Sequence, residues 1–177
     1  HLFIDFLRDR FAERNPDLLI SVGGPAAGFA AKHRDQLFPG TPALLAAMAE
    51  QVLENGLRLE NAVMAPMRIE LGSVIDGILL ALPRTRNVAV IMGASPLETF
   101  WLEECRKEFE AFSNRVHFEY LDALSLAEIK QHVAGLPPDT AIFYGLMIID
   151  KAGIVFDPAE ALQIILAEAN APIFVLH

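Results

Sequence analysis

The chain has 177 residues, of which 53% are hydrophobic, so it can bury a core as one ordinary domain or as two small lobes. Its 14 lysines and arginines stand against 23 acidic residues, which gives a net charge of -9. Because no basic run offers a track for a phosphate backbone, we expect no nucleic-acid partner. The longest apolar runs are also shorter than the ~20 residues that cross a bilayer.

Runs of β-branched and aliphatic residues alternate with segments of helical period along the chain. This alternation is typical of parallel strands joined by crossover helices and predicts an α/β fold. In chain order, the predicted elements are helix 2–14, strand 17–22, helix 25–36, strand 42–47, helix 71–81, strand 87–92, helix 96–112, strand 115–121, helix 126–135, strand 140–146, helix 158–169 and strand 172–176.

Three of these helices begin with a polar residue that is followed three positions later by glutamate. Such a pair predicts a capping box, in which each side chain accepts a hydrogen bond from a backbone N–H at the helix start. The helix after Ser95 also predicts a buried stripe at helical spacing. The three starts are SPLE from Ser95, SLAE from Ser125 and DPAE from Asp157, and the stripe is Leu97, Trp101, Cys105, Phe109 and Phe112.

The predicted strands are unevenly distributed, and residues 60–68 between the two groups lack a clear period. We therefore predict two parts, residues 1–66 and residues 67–177, with the second part forming one parallel sheet. The first part supplies too few strands for a sheet of that size and is expected to be a smaller unit. The chain opens inside an amphipathic helix and stops at the end of a strand, as a fragment of a longer polypeptide does.

The usual motifs of catalysis and of nucleotide or metal binding do not occur in this sequence. The segment SVGGPAAG has Pro25 where a dinucleotide fingerprint needs glycine, and neither a phosphate-binding loop nor a nucleophile elbow is present. The five histidines form no i, i+4 pair, so we predict no metal and no cofactor. Cys105 lies on the predicted buried stripe and is interpreted as a core residue.

Ligand contacts in open α/β sheets come from residues just after the carboxyl ends of the strands. By position these candidates are Gly23, Gly24, Ser95, Tyr144 and His177. Each has a structural alternative. The glycines can simply turn the chain into a helix, Ser95 can cap its helix, Tyr144 can pack under the sheet, and His177 can end a strand.

Several segments resemble a known family of binding domains. They are PDLLISVGGPAAGFAAKHRDQLFPGTPALLAA, NVAVIMGASPLETFWLEECRKEFEAF, FEYLDALSLAEIKQHVAGLPPDTAIFY and EANAPIFVLH. Together they resemble the extracytoplasmic substrate-binding-protein-like domains fused to some bacterial sensor histidine kinases. Those domains are related to ABC-transporter binding proteins of the type I periplasmic-binding-protein fold.

The resemblance implies two Rossmann-like α/β lobes that hold a small organic ligand between them. Residues 1–66 become part of the first lobe and residues 67–177 the second, without catalysis in this segment. Glu98 stands where such domains often carry an aspartate. The implied setting is the periplasmic or other extracytoplasmic face of the membrane, in a membrane-anchored parent chain that carries a kinase, with a homodimer as a further possibility. An ABC-transporter binding component, an α/β enzyme and a protein-interaction module stay open as alternatives.

Overall fold

The computed structural model describes residues 2–50 and 59–176. It divides the chain into two compact units, His1–Ile69 and Glu70–His177, which we call unit 1 and unit 2. The predicted boundary lies after residue 66, and the division between the two units falls between Ile69 and Glu70. The assignment of these units to two lobes of a binding protein stays a prediction.

Unit 1 contains a three-stranded parallel sheet in the order β1-β2-β3. Its elements are α1 (Leu2–Arg10), β1 (Leu19–Val22), α2 (Gly24–Leu37), β2 (Ala43–Ala49) and β3 (Ala62–Met67). The core forms where Ala27 and Ala30 of α2 pack on Leu45 and Met48 of β2. Alanine at these helix positions lets α2 approach the sheet closely.

Strand β3 corrects the interpretation of residues 60–68 as a boundary without regular structure. It contains Pro66, which is disfavoured in a central strand but tolerated at a sheet edge, and within residues 2–50 and 59–176 β3 pairs with β2 alone. The sequence AVMAPM has no alternation of polar and apolar residues, and it is this alternation on which a strand prediction depends. The hydrogen bonds with β2 therefore define this strand, and the local sequence does not predict it.

Unit 2 contains a four-stranded parallel sheet in the order β5-β4-β6-β7. Its elements are α3 (Gly72–Ala81), β4 (Asn87–Met92), α4 (Pro96–Phe109) with a short 3-10 turn (Glu110–Phe112), β5 (His117–Tyr120), α5 (Leu126–Val133), β6 (Thr140–Leu146), α6 (Pro158–Leu166) and β7 (Ile173–Val175). The predicted α/β class and the parallel sheet of the second part are confirmed.

Helix α4 buries a different stripe from the predicted one. Glu98, Leu102, Cys105 and Phe109 are buried, whereas Trp101 is only half-buried. Because an α-helix has 3.6 residues per turn, side chains spaced four residues apart move gradually from one face of the helix to the next. The mixed spacing of the observed stripe keeps its side chains on one face. Cys105 is a core residue as predicted, and burial, assisted by nearby Glu108, raises the pKa of its thiol to about 12.

Candidate ligand-binding site

The order of strands in unit 2 creates a switch point at the carboxyl ends of β4 and β6. From β4 the chain crosses through α4 to β5 on one side, while β6 lies on the other side. Ligands of open α/β sheets bind in the crevice that such a reversal leaves. In this chain, residues after both strands meet there, because the N–H of Gly93 donates to the carbonyl oxygen of Leu146 at 2.8 Å and that of Ala94 to Ile149 at 2.7 Å.

The carboxylate of Glu98 fills this crevice from within. The residue is fully buried, and its Oε2 accepts a 2.8 Å hydrogen bond from the N–H of Ser95. Its Oε1 accepts from the N–H of Ile148, and Oε2 lies 3.4 Å from the nitrogen of Ile149. Glu98 therefore occupies a backbone N–H cluster of the kind that binds ligand anions in other α/β proteins.

The same N–H cluster around Glu98 explains why position 93 is a glycine. A Cβ atom at this position would collide with the carboxylate of Glu98 and lie 2.6 Å from the carbonyl oxygen of Ile149. The absence of a side chain at position 93 thus serves the close packing of two loops, with no ligand required.

Ser95 caps α4 in the way that the sequence predicts. Its Oγ accepts from the N–H of Glu98 at 3.3 Å, and the Glu98 side chain closes the capping box in return. Ser95 is only 8% exposed. The structure thus accounts for Ser95 as the start of a helix, and its contact with a ligand stays a prediction.

Tyr144 lies on β6 with 4% of its surface exposed. Its hydroxyl donates a 2.7 Å hydrogen bond to the carbonyl oxygen of Pro158 at the start of α6. Burial and the nearby charge of Glu98 raise the pKa of the Tyr144 phenol to about 12. This environment favours the packing alternative, because the ring lies in the core and the hydroxyl is already bonded.

A second buried carboxylate, that of Asp150 in the loop after β6, was not among the residues predicted from the sequence. Asp150 is 2% exposed, and its two oxygens accept from the N–H of Leu126 at 3.0 Å and that of Ile154 at 2.9 Å. It thereby fastens the loop to the start of α5. The one local signal is the segment DKAG, which forms a tight turn with Gly153 at φ 81.

The carboxyl end of β1 in unit 1 offers a more open arrangement. Gly23 has φ 84, a conformation that favours glycine, and it precedes α2 without any side-chain cap. Pro25 has no N–H, and among the contacts of the described residues nothing accepts from the N–H of Gly24 or Ala26. Bare N–H groups at a helix start carry partial positive charge, so this position is suited to an anionic group.

His177, the remaining predicted site residue, lies outside the described residues.

Within residues 2–50 and 59–176, no group of three or more metal-ligating side chains is close enough to hold a metal ion. In the same residues, no helix has the length and apolar character that crossing a membrane requires.

Comparison with known proteins gives similarity at the level of structure. No protein-family model and no curated protein matches the sequence. Three solved structures resemble the chain. They are a conserved domain protein from Vibrio cholerae (18% identity, TM-score 0.61, 99% of this chain and 58% of that one), an ABC domain in complex with L-Trp from Streptococcus pneumonia (15%, 0.62, 98% and 59%) and a ligand-free, open substrate-binding protein with adhesive properties from Clostridium difficile (15%, 0.63, 97% and 58%).

These similarities confirm the predicted fold class. The chain has the parallel, Rossmann-like α/β architecture found in substrate-binding proteins. It spans under three-fifths of the length of each of these solved chains. At such low identity the likeness concerns the fold, and function has to be argued from the site.

Proposed function

We propose that this chain belongs to a non-catalytic domain that binds a small organic molecule. The observation that carries the proposal is the uncapped start of α2 at the carboxyl end of β1, where the backbone N–H groups of Gly24 and Ala26 have no acceptor among the described residues. The L-Trp complex of one structural neighbour and the substrate-binding role named for another support the same function.

The chemistry of this position indicates an anionic group on the ligand, such as a carboxylate. The N–H groups of Gly24 and Ala26 are separated by Pro25 and belong to a helix of 14 residues. An anion at such a helix start gains about 0.3–1 kcal/mol from the helix dipole, in addition to its hydrogen bonds. A Cβ atom at Gly23 would meet no atom of the described residues within 4 Å, which leaves room beside them for a ligand to approach.

The acidic groups of unit 2 support binding more than catalysis. Glu98 and Asp150 are buried, and their oxygens are engaged by backbone N–H groups, so neither is poised to exchange a proton with a substrate. The thiol of Cys105, with its pKa of about 12, is a poor nucleophile. An α/β enzyme of unknown reaction stays the alternative, and it would need a titratable pair outside these groups.

The finer proposal is the input domain of a sensor histidine kinase, on the extracytoplasmic side of a membrane-anchored, homodimeric parent. It rests on the sequence resemblance, and an ABC-transporter binding component is an equally good alternative. The sequence that flanks this chain in its parent distinguishes them. A transmembrane helix followed by a kinase supports the sensor, whereas a secretion signal alone supports the transporter component.

Ligand binding can be tested by measuring melting temperature in the presence of the common amino acids and short carboxylic acids, followed by calorimetric titration of each hit. The informative variant is Pro25→Asp, because Pro25 is exposed at the start of α2. The new carboxylate should repel an anionic ligand and weaken binding roughly tenfold or more, a cost of about 1.4 kcal/mol. It should not lower the melting temperature, because an acid at a helix start is stabilising.

Pro25→Asn is the matched control, since it has the same shape without the charge. Its affinity should stay within about twofold of the parent chain. Equal affinities of the Asp and Asn variants for a ligand that binds the chain would contradict the proposed position of the anionic group. A screen in which none of these compounds binds the chain would contradict the proposed ligand class.

A further inference from the structure

Strand β5 lies at the edge of the sheet of unit 2, and in the described part of the chain it pairs with β4 alone. The N–H groups of His117 and Leu121 donate to carbonyl oxygens on the β4 side at 2.8 and 2.9 Å, so both residues face β4. Hydrogen-bonding groups alternate between the two sides of a strand. The N–H and C=O groups of Phe118 and Tyr120 are therefore directed to the open edge.

A cavity of about 420 Å³ lies beside this edge, on the face of the sheet that α4 covers. Aromatic rings form one of its walls. Phe109 of α4 stacks on Phe118 with ring centroids 5.1 Å apart, and the rings of Phe118 and Tyr120 lie 6.4 Å apart. Glu110 and Arg115 also line the cavity, and their charges cancel. The open edge of β5 is thus continuous with a cavity suited to an aromatic side chain.

The other face of β5 carries an acidic and a basic side chain. Since side chains alternate along a strand, His117 and Glu119 lie on the face opposite to that of Phe118. Oε1 of Glu119 lies 3.0 Å from Nε2 of His132 on α5, and 45% of the Glu119 side chain is exposed. The carboxylate is therefore accessible to a further basic group from outside the chain.

Antiparallel pairing of β5 with a second copy of itself places these charges opposite each other. In a two-fold arrangement centred on Phe118, the residue before the centre lies opposite the residue after it. His117 of one copy then lies opposite Glu119 of the partner subunit, and this pair occurs twice. Opposite charges directly across two antiparallel strands are stabilising. Charged residues normally discourage pairing at an edge, but here they favour one register.

The same register suits the backbone and the cavity. Phe118 is directed to the edge, so the two copies exchange a pair of N–H···O hydrogen bonds at this residue, as hydrogen-bonded pairs of antiparallel strands do. Tyr120 of the partner subunit lies opposite Val116, which lines the cavity. The aromatic ring of one copy is thereby brought to the cavity of the other.

We propose that the open edge of β5 is an interface between two copies of this chain, in which the β5 strands pair antiparallel about a two-fold axis at Phe118. A second copy is the occupant because the charges of this edge are complementary to themselves, as a two-fold interface requires. The interface supplies a contact for the homodimer of the proposed parent. It is tested without ligand, so its failure and that of ligand binding at Gly24 are distinguishable.

Sedimentation velocity over a range of protein concentrations tests the interface with two variants. His117→Glu places carboxylates opposite each other in the dimer, and Glu119→Lys places two basic groups opposite each other. Each variant alone should dimerise roughly tenfold or more weakly than the unsubstituted chain. An equimolar mixture should dimerise to within about threefold of the unsubstituted chain, because the introduced glutamate then faces the introduced lysine.

Asp76→Lys is the matched control for charge. Asp76 is exposed on α3, which packs near β7 at the opposite edge of the sheet, and its substitution changes the net charge as Glu119→Lys does. Dimerisation of this variant should stay within about twofold of the unsubstituted chain.

Three results would overturn the assignment. A chain that stays monomeric at every concentration would mean that no second copy occupies the edge. Two variants that dimerise like the unsubstituted chain, or a mixture that stays as weak as its components, would place the contact elsewhere. The third result needs no variant. Amide exchange at Phe118 should slow at least about tenfold as the unsubstituted chain dimerises, and an unchanged rate in the dimer would contradict the pairing.

Discussion

Replacement of Glu98 by glutamine should destabilise unit 2 strongly. Glutamine keeps the size of the side chain, but it replaces one acceptor oxygen with an NH₂ donor. The carboxylate accepts from the N–H groups of Ser95 and Ile148, with Ile149 at 3.4 Å. An amide has one oxygen for these donors, and its NH₂ group faces at least one N–H.

The expected cost follows from the number of hydrogen bonds that the substitution removes. A hydrogen bond to a charged acceptor contributes about 1.5–3 kcal/mol, and a buried donor without a partner is unfavourable in addition. Glu98 is fully buried, so solvent does not weaken these hydrogen bonds. If one or two of them are removed, Glu98→Gln should lower the free energy of unfolding by about 2–4 kcal/mol.

Urea unfolding followed by tryptophan fluorescence measures this change. Trp101 is the single tryptophan of the chain and lies on α4, so it reports on unit 2. Glu128→Gln is the matched control, because Glu128 forms the same capping box with Ser125 on α5 but is exposed. Its substitution should change stability little. An equal destabilisation of the two variants would refute the role of Glu98 as the acceptor that joins two loops.

Three further predictions concern other buried groups. Ser95→Ala should cost about 1 kcal/mol, and more than Ser125→Ala because the Ser95 cap is buried; equal costs would contradict this. Tyr120 and Tyr144, the two tyrosines, should show no phenolate absorbance near pH 10 while folded, since burial raises both pKa values to about 12. Stability from these phenols is fully present below pH 10 and is lost as the pH rises toward 12; titration near 10 in the folded protein would contradict it. Cys105 should resist iodoacetamide at pH 8 until urea unfolds unit 2, and rapid labelling of the folded chain would be contrary to its burial.

The central strands were predicted best because their signal is local. β4 and β6 begin and end at the predicted residues, since each is a continuous apolar run that is buried on both faces. The helix predicted for residues 96–112 ends at Phe109 and tightens into a 3-10 turn. β3 was missed because Ala62–Met67 has neither alternation nor a β-branched run, and only its pairing with β2 defines it.

The features of the candidate site that have a local sequence pattern were also predicted, and those that depend on distant residues were not. The cap at Ser95 and the bare helix start after Gly23 follow from short sequence patterns, since one has a hydroxyl followed by glutamate and the other has Gly-Gly-Pro. The hydrogen bonds of Glu98 with residues 148 and 149 join segments about fifty positions apart, so no local pattern reveals them. The engagement of Tyr144 with Pro158 likewise depends on how α6 packs on the sheet.

The most direct test of the proposed binding function is a map of backbone amide chemical shifts during titration with the best ligand from the amino-acid and carboxylate screen. The largest shifts should occur at Gly24 and Ala26, whose N–H groups at the start of α2 have no acceptor among the described residues. The N–H of Ile148 should shift little, because Glu98 already occupies it. Largest shifts at Ile148, with α2 unaffected, would contradict ligand binding at the start of α2.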